Sequence, residues 1–216
     1  MLKDNPEELG NYYLQSNHKF SKKEQQKIER AFQDFDFEVF QRNLIDTLKR
    51  YYHEYEKTIE AGFNTFSMDK VIQMILFFTQ DGLNKTVLLK HLFYADFLNF
   101  KRSLLSISGL TYIKYKHGPV PMKYNLLLDT LQETGHIEIE EEYFEEYTRT
   151  TIKSKKEFDS NFFELHELNV LNEVQEFFDG YGSKRISDFS HDEDGWNHTE
   201  VNKIIPYDFA ENLKLD

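Results

Sequence analysis

Apolar residues recur along this chain with two different periods, and the change of period divides it into elements. From Phe37 onward, Phe40, Leu44, Leu48, Tyr51 and Tyr55 step by three and four residues, which predicts one long amphipathic helix broken at Gly62 and Asn64. Ser67 then caps a helix through Val71, Ile72, Ile75, Leu76, Phe77 and Phe78, too apolar for a surface position and so expected at the centre of a core. Asp81-Gly82 ends it. A second apolar helix follows from about Lys85, with Val87, Leu88, Leu89, Leu92, Phe93 and Phe97 on more than one face. Upstream, Asn5-Pro6-Glu7-Glu8 reads as a helix start running to about Ser16. Ser21-Lys22-Lys23-Glu24 is a capping box for a helix through Ile28, Ala31 and Phe32.

After Gly109 the period becomes two: Thr111, Ile113 and Tyr115 alternate with Tyr112, Lys114 and Lys116, as in a half-buried strand. The prolines of Gly118-Pro119-Val120-Pro121 fix φ and remove donors, which predicts a rigid extended connection. A helix is expected from about Lys123 to Thr134, closed by Gly135. Ile137–Glu146 and Tyr147–Lys153 then read as an antiparallel hairpin with opposite charges paired across it. Leu165, Leu168, Leu171, Val174 and Phe178 form one helical face, and a short helix passes through Ile186 and Phe189. The expected fold is mainly α (α+β): a helical domain with a small antiparallel hairpin. Its elements from 67 to about 153 follow a winged-helix-like order, which does not by itself make a DNA reader. Residues 1–66 are expected to form an N-terminal helical extension and 67–216 the domain.

Charge changes this picture more than composition does. The 216 residues carry a net charge of −12, distributed unevenly. Residues 67–123 hold 8 basic and 3 acidic side chains, whereas 124–216 hold 8 basic and 23 acidic. Nucleic acid demands a basic footprint, and Lys114, Lys116 and Lys123 supply only a modest one, so free-standing nucleic-acid binding is disfavoured. An acidic surface maintains solubility or steers a basic protein partner. With no Cys, disulfides, thiolate metal sites and thiol nucleophiles are excluded. The longest apolar stretch, around Val71 to Phe78, is too short to span a bilayer, and the reading is soluble and cytoplasmic with no membrane partner.

The sequence carries no phosphate loop, nucleophile elbow or His-Glu-x-x-His. No cofactor is expected and no catalytic residue is assigned. His191, Asp192, Glu193, Asp194 and His198 have metal-ligand chemistry, but the 191 to 198 spacing does not put both imidazoles on one helical face. His191 is expected to serve a structural role near Trp196, and no metal site is assigned. Asp96, set among Leu92, Phe93, Phe97 and Leu98, needs a partner if buried, and His91, Tyr112 or His117 are the candidates.

Five groups of residues occur in order: Tyr94-Ala95-Asp96-Phe97, Ser108-Gly109-Leu110-Thr111-Tyr112, His117-Gly118-Pro119-Val120-Pro121, Ser190-His191 with Trp196, and Ile205-Pro206-Tyr207. Together they resemble the Panacea domain, typified by SocA-like antitoxins and by proteins of phages and mobile elements. The resemblance covers about 67–213. It implies a mostly helical fold with a small antiparallel sheet, and a noncatalytic antitoxin that neutralises a toxin by direct contact. Some members act as adaptors that deliver the toxin to a protease. Residues 1–30 resemble the segment that in longer relatives follows a DNA-binding helix-turn-helix domain, which implies a short member or a fragment. No catalytic residue carries over. The candidate interaction residues are Tyr94, Asp96, Tyr112, His117, Gly118, Pro119, Val120, Pro121, His191, Trp196 and Tyr207, which equally suit staples of the fold. The rival readings are a DNA-binding regulator using the winged-helix-like segment and, third, a metal-dependent hydrolase around His191 and His198.

Overall fold

A computed structural model describes residues 21, 37–145 and 147–215. The helices expected over 5–16 and from Ser21 to Phe32 lie outside the described residues. The chain divides into two compact units, Met1–Leu44 and Ile45–Asp216, and the hydrophobic core of the described residues, from Leu48 to Leu215, belongs to the second. In chain order the elements are α1 (Phe37–His53), α2 (Met68–Phe78), β1 (Leu83–Asn84), α3 (Lys85–Ser103), β2 (Tyr112–Tyr115), β3 (Gly118–Pro121) and α4 (Tyr124–Glu133). They continue with β4 (Ile137–Tyr143), β5 (Thr148–Ser154), α5 (Leu165–Phe177), α6 (Ser183–His191) and α7 (Asp194–His198), and short 3-10 turns lie at Ile59–Ala61, Ser160–Phe162 and Tyr207–Asn212. The strands form an antiparallel sheet in the order β1-β5-β4 and a separate β2-β3 hairpin, so the architecture is α+β rather than all-α.

α3 is the axis of the fold. Asn84 caps its start, Oδ1 accepting from Thr86 N at 2.9 Å, and every residue from Val87 to Phe100 is buried. The apolar positions on more than one face anticipate this, because a helix that is hydrophobic all round must be covered all round. α2, α5, α6, β3 and the 3-10 turn at Tyr207–Asn212 pack around it, and each large apolar side chain so buried contributes about 1.5–3 kcal/mol. α2 is the expected core helix, with Ser67 Oγ accepting from Lys70 N at 3.3 Å and Val71, Met74, Ile75, Leu76, Phe77 and Phe78 buried.

Four expectations change. α1 ends at His53, so Tyr55 falls in a turn, and Tyr52 rather than Tyr51 completes the stripe. Tyr52 lies one i+4 step from buried Leu48, stacks on Phe66 at 4.4 Å and donates its hydroxyl proton to the Met122 carbonyl. Residues ahead of 67 therefore complete the core. Tyr112, expected on the polar face of its strand, points inward. Leu165 is exposed, because the first turn of α5 instead buries Glu167, whose carboxylate takes Lys70 Nζ at 2.7 and 2.8 Å and the Glu164 N–H at 3.0 Å.

The Gly118–Pro121 connection is itself a strand, and this fourth change replaces the single strand of a winged-helix order with a hairpin. The register sets Tyr112 opposite Pro121, Ile113 opposite Val120, Lys114 opposite Pro119 and Tyr115 opposite Gly118. Lys114 N donates outward to Lys203 O and Tyr112 O accepts from Ile205 N, both at 2.9 Å. Both prolines therefore stand in non-hydrogen-bonded pairs, where β2 asks for no N–H. Gly135 closes α4 as expected, at φ +69°, and the β4-β5 hairpin pairs Ile137 with Ser154 through Tyr143 with Thr148.

Candidate functional site

The singled-out residues separate into two buried nodes and one half-buried corner. In the first node Asp96, fully buried on α3, accepts from Ile107 N and Ser108 N at 2.8 Å each, Ser108 Oγ at 2.5 Å and Tyr112 OH at 2.7 Å. Of the three partners considered for it, Tyr112 is correct. His91 instead bonds the Val87 carbonyl at 2.9 Å and is pushed down to about 4 by burial, while His117 is exposed. Burial pushes the Asp96 carboxyl up to about 6 despite its donors. Tyr207 stacks on Phe97 at 4.3 Å and donates to Leu110 O at 2.8 Å, tying the C-terminal turn to the loop that meets Asp96.

In the second node Tyr94 OH donates at 3.1 Å to Glu193, a buried residue whose carboxylate also accepts from Lys214 N at 3.3 Å. Burial raises the Glu193 carboxyl above its ordinary range. The other polar residues of that run turn elsewhere: Asp194 Oδ2 accepts from Asn212 at 3.1 Å, and His198 Nδ1 meets the Asp194 carbonyl at 3.0 Å. Among the described residues no three His, Asp or Glu side chains gather so as to hold a metal.

The corner is built on the β2-β3 hairpin. Lys90, 1 % exposed in α3, donates from Nζ to the Pro119 carbonyl at 2.8 Å. That carbonyl is free because Pro119 turns it away from β2. Burial pushes the Lys90 amine down to about 7. Outside it, His191 stacks on Trp196 at 4.1 Å, Trp196 Nε1 donates to Tyr115 O at 3.1 Å, and Lys114 Nζ sits 4.2 Å over the indole. Burial, then the Lys90 and His117 charges, hold the His191 imidazole below its ordinary value.

Gly118 makes this corner possible, since its φ is +97° and an added methyl would collide with Ser190 Oγ and lie 2.5 Å from Lys90 Cε. Gly118→Ala is expected to destabilise the fold by about 2 kcal/mol or more through strain and overpacking. A urea melt with a loss under about 0.5 kcal/mol would show that Lys90 and Ser190 give way.

Tyr94, Asp96, Tyr112, Gly118, Pro119, Val120, Pro121 and Tyr207 are thus buried, His191 and Trp196 half-buried and His117 exposed. The surface with unassigned chemistry lies on the β4-β5 hairpin instead. Tyr143, Phe144 and Tyr147 at its tip are 77 %, 46 % and 55 % exposed, too large an apolar group for an ordinary turn. Phe144 and Tyr147 stack at 4.8 Å. Grooves flank the inner face of the hairpin, meeting at Lys85, Glu141, Tyr143 and Thr150. Sequence reasoning passed over this tip, and took Lys90 only as one of the spread Lys85, Lys90, Lys101 and Arg102, which falls on no obvious single face. Three aromatics between two strands, and a lysine inside the run Val87–Leu92, were the available signals.

A family model described as Antitoxin SocA-like, Panacea domain matches residues 88–197, just over half of the chain. Neither a curated protein nor a solved structure matches it.

Proposed function

The chain belongs to the Antitoxin SocA-like, Panacea domain family, whose role is antitoxin-type in general, and from that premise we propose that it neutralises a cognate toxin by direct contact as a noncatalytic protein-binding module. The family match carries this reading. The buried motif residues support it as scaffold: Asp96, Tyr112 and the Gly118–Pro121 strand hold the β2-β3 hairpin and its corner against α3, so a partner meets a surface there already ordered. Recognition resides in residues 67–216, with the exposed aromatic tip of β4-β5 as its anchor.

The regulator reading would need α3 or a neighbouring helix to enter a groove of DNA. α3 is buried from Val87 to Phe100, Lys90 is engaged with Pro119, and Arg102 is tied to Glu173 at 2.7 and 2.8 Å. That segment leaves no basic helical face free, and the toxin-binding reading is the better supported.

Co-expression with the product of the neighbouring gene is expected to restore growth and to yield a complex that survives gel filtration. The toxin's half-life should be unchanged if the mechanism is occlusion, and shortened if the chain delivers it to a protease. Tight binding to the chain's own promoter DNA, with no affinity for the neighbouring product, would overturn the reading in favour of the regulator.

A further inference from the structure

We propose that the free edge of β4 is a strand-addition site for an extended, basic segment of a partner protein. The register determines which backbone groups are available. Ser154 N donates to Thr79 O at 3.1 Å, on the side away from β4, whereas Lys155 N donates to His136 O at 2.8 Å and Phe144 N to Tyr147 O at 2.9 Å. The hydrogen-bonded pairs are therefore Glu138 with Lys153, Glu140 with Thr151 and Glu142 with Arg149. Ile139, Glu141 and Tyr143 direct their N–H and C=O groups the other way. β4 is the last strand of β1-β5-β4, and no backbone hydrogen bond between described residues ends on that row.

Other strands are closed to such an addition. The outer side of β2 is occupied by Lys203 and Ile205, β3 lacks donors at Pro119 and Pro121, and β1 is two residues long. β4 is seven residues long, with an exposed aromatic tip at one end.

Charge selects the occupant. Glu138, Glu140 and Glu142 share one face of β4, and their cations lie toward β5: Lys155 at 3.6 Å, Lys153 at 2.8 Å and Arg149 at 3.5 Å. A second β4 would bring glutamates against glutamates, so the edge refuses its own copy. An incoming strand with Lys or Arg at alternate positions would continue the plus–minus alternation across the sheet, setting each cation directly opposite a glutamate. Main-chain bonds at Ile139, Glu141 and Tyr143 supply affinity and the glutamate ladder supplies choice. That the partner is the toxin rests on the antitoxin reading; the edge itself does not.

The test uses the full chain and two acetylated, amidated octapeptides, one alternating Lys with Thr and one alternating Glu with Thr. The Lys peptide is expected to bind saturably and to slow amide exchange at Ile139 and Glu141, and the Glu peptide not to bind. Glu141→Pro removes an N–H on the free row and no hairpin hydrogen bond, and should weaken binding at least about tenfold, or 1.4 kcal/mol, whereas Glu141→Gln should change it less than about threefold. Retained exchange protection at Glu140 and Thr151 verifies that the proline variant keeps its hairpin. Reversing Glu138, Glu140 and Glu142 together to Lys should transfer the preference to the Glu peptide. Failure of the Lys peptide to bind, equal binding of both peptides, or equal binding by the Glu141→Pro variant overturns the site. If the peptides behave as expected but the chain fails to rescue growth, the antitoxin reading fails and the site stands. Rescue undiminished by Glu141→Pro removes this edge as the toxin contact.

Discussion

Asp96→Ala is expected to destabilise the fold by about 3 kcal/mol or more, because four neutral donors lose one shared acceptor inside a buried site. The loss comes less from the carboxylate than from what it leaves behind: the N–H groups of Ile107 and Ser108 and the hydroxyls of Ser108 and Tyr112 all lose the acceptor they converge on, inside a buried site. Each unsatisfied buried donor costs about 1–3 kcal/mol. The loop from Ser106 to Leu110 starts β2 and receives Tyr207 OH on its Leu110 carbonyl, so the defect should spread to the C-terminal turn. Urea denaturation and amide exchange at Ile107 and Ser108 measure it. A loss under about 1 kcal/mol would mean that water reaches the vacated site.

The second large effect is on pH dependence. Burial pushes the Lys90 amine from its ordinary 10.5 down to about 7. Between those values the unfolded chain holds a proton at Lys90 that the folded chain has released, so unfolding takes up protons and stability rises with pH. This contribution is fully present above the unfolded value and is lost as pH falls through about 7. At about 1.4 kcal/mol per unit, Lys90 should add roughly 2–3 kcal/mol between pH 7.5 and 9.5. Lys90→Met removes the slope, and because this interval lies above the ordinary histidine range, the difference between the two stability profiles isolates Lys90 even though its charge also bears on His191. Parallel profiles for the natural chain and Lys90→Met over that interval would show that Lys90 stays protonated, held by the Pro119 carbonyl.

Much of the helical architecture was legible because it depends on local chemistry. Ser67 caps α2, the all-round apolarity of 85–103 announces a buried α3, and Gly135 closes α4. The ordered motifs from Tyr94 to Tyr207 were enough to suggest the family that the match over 88–197 establishes. Asp96 was identifiable as a charge needing a partner, since a carboxylate between Leu92 and Leu98 has no water to turn to.

Tertiary structure alone decided the rest, wherever the outcome depends on which segment meets which. Tyr112 rather than His91 or His117 reaches Asp96 because the chain after α3 brings β2 against that face of the helix. Residues 118–121 become a strand because Lys203 and Ile205 take the outward groups of β2, leaving both prolines opposite positions that need no donor. Lys90 is buried because Gly118, lacking a side chain, brings the hairpin against α3 and sets the Pro119 carbonyl over its amine. The same dependence governs the edge of β4. Periodicity predicts a hairpin, but only the register determines that Ile139, Glu141 and Tyr143 face outward with their hydrogen bonds unspent. Local pattern encodes what each segment prefers, while pairing between segments distant in sequence determines which backbone and charged groups remain for a partner.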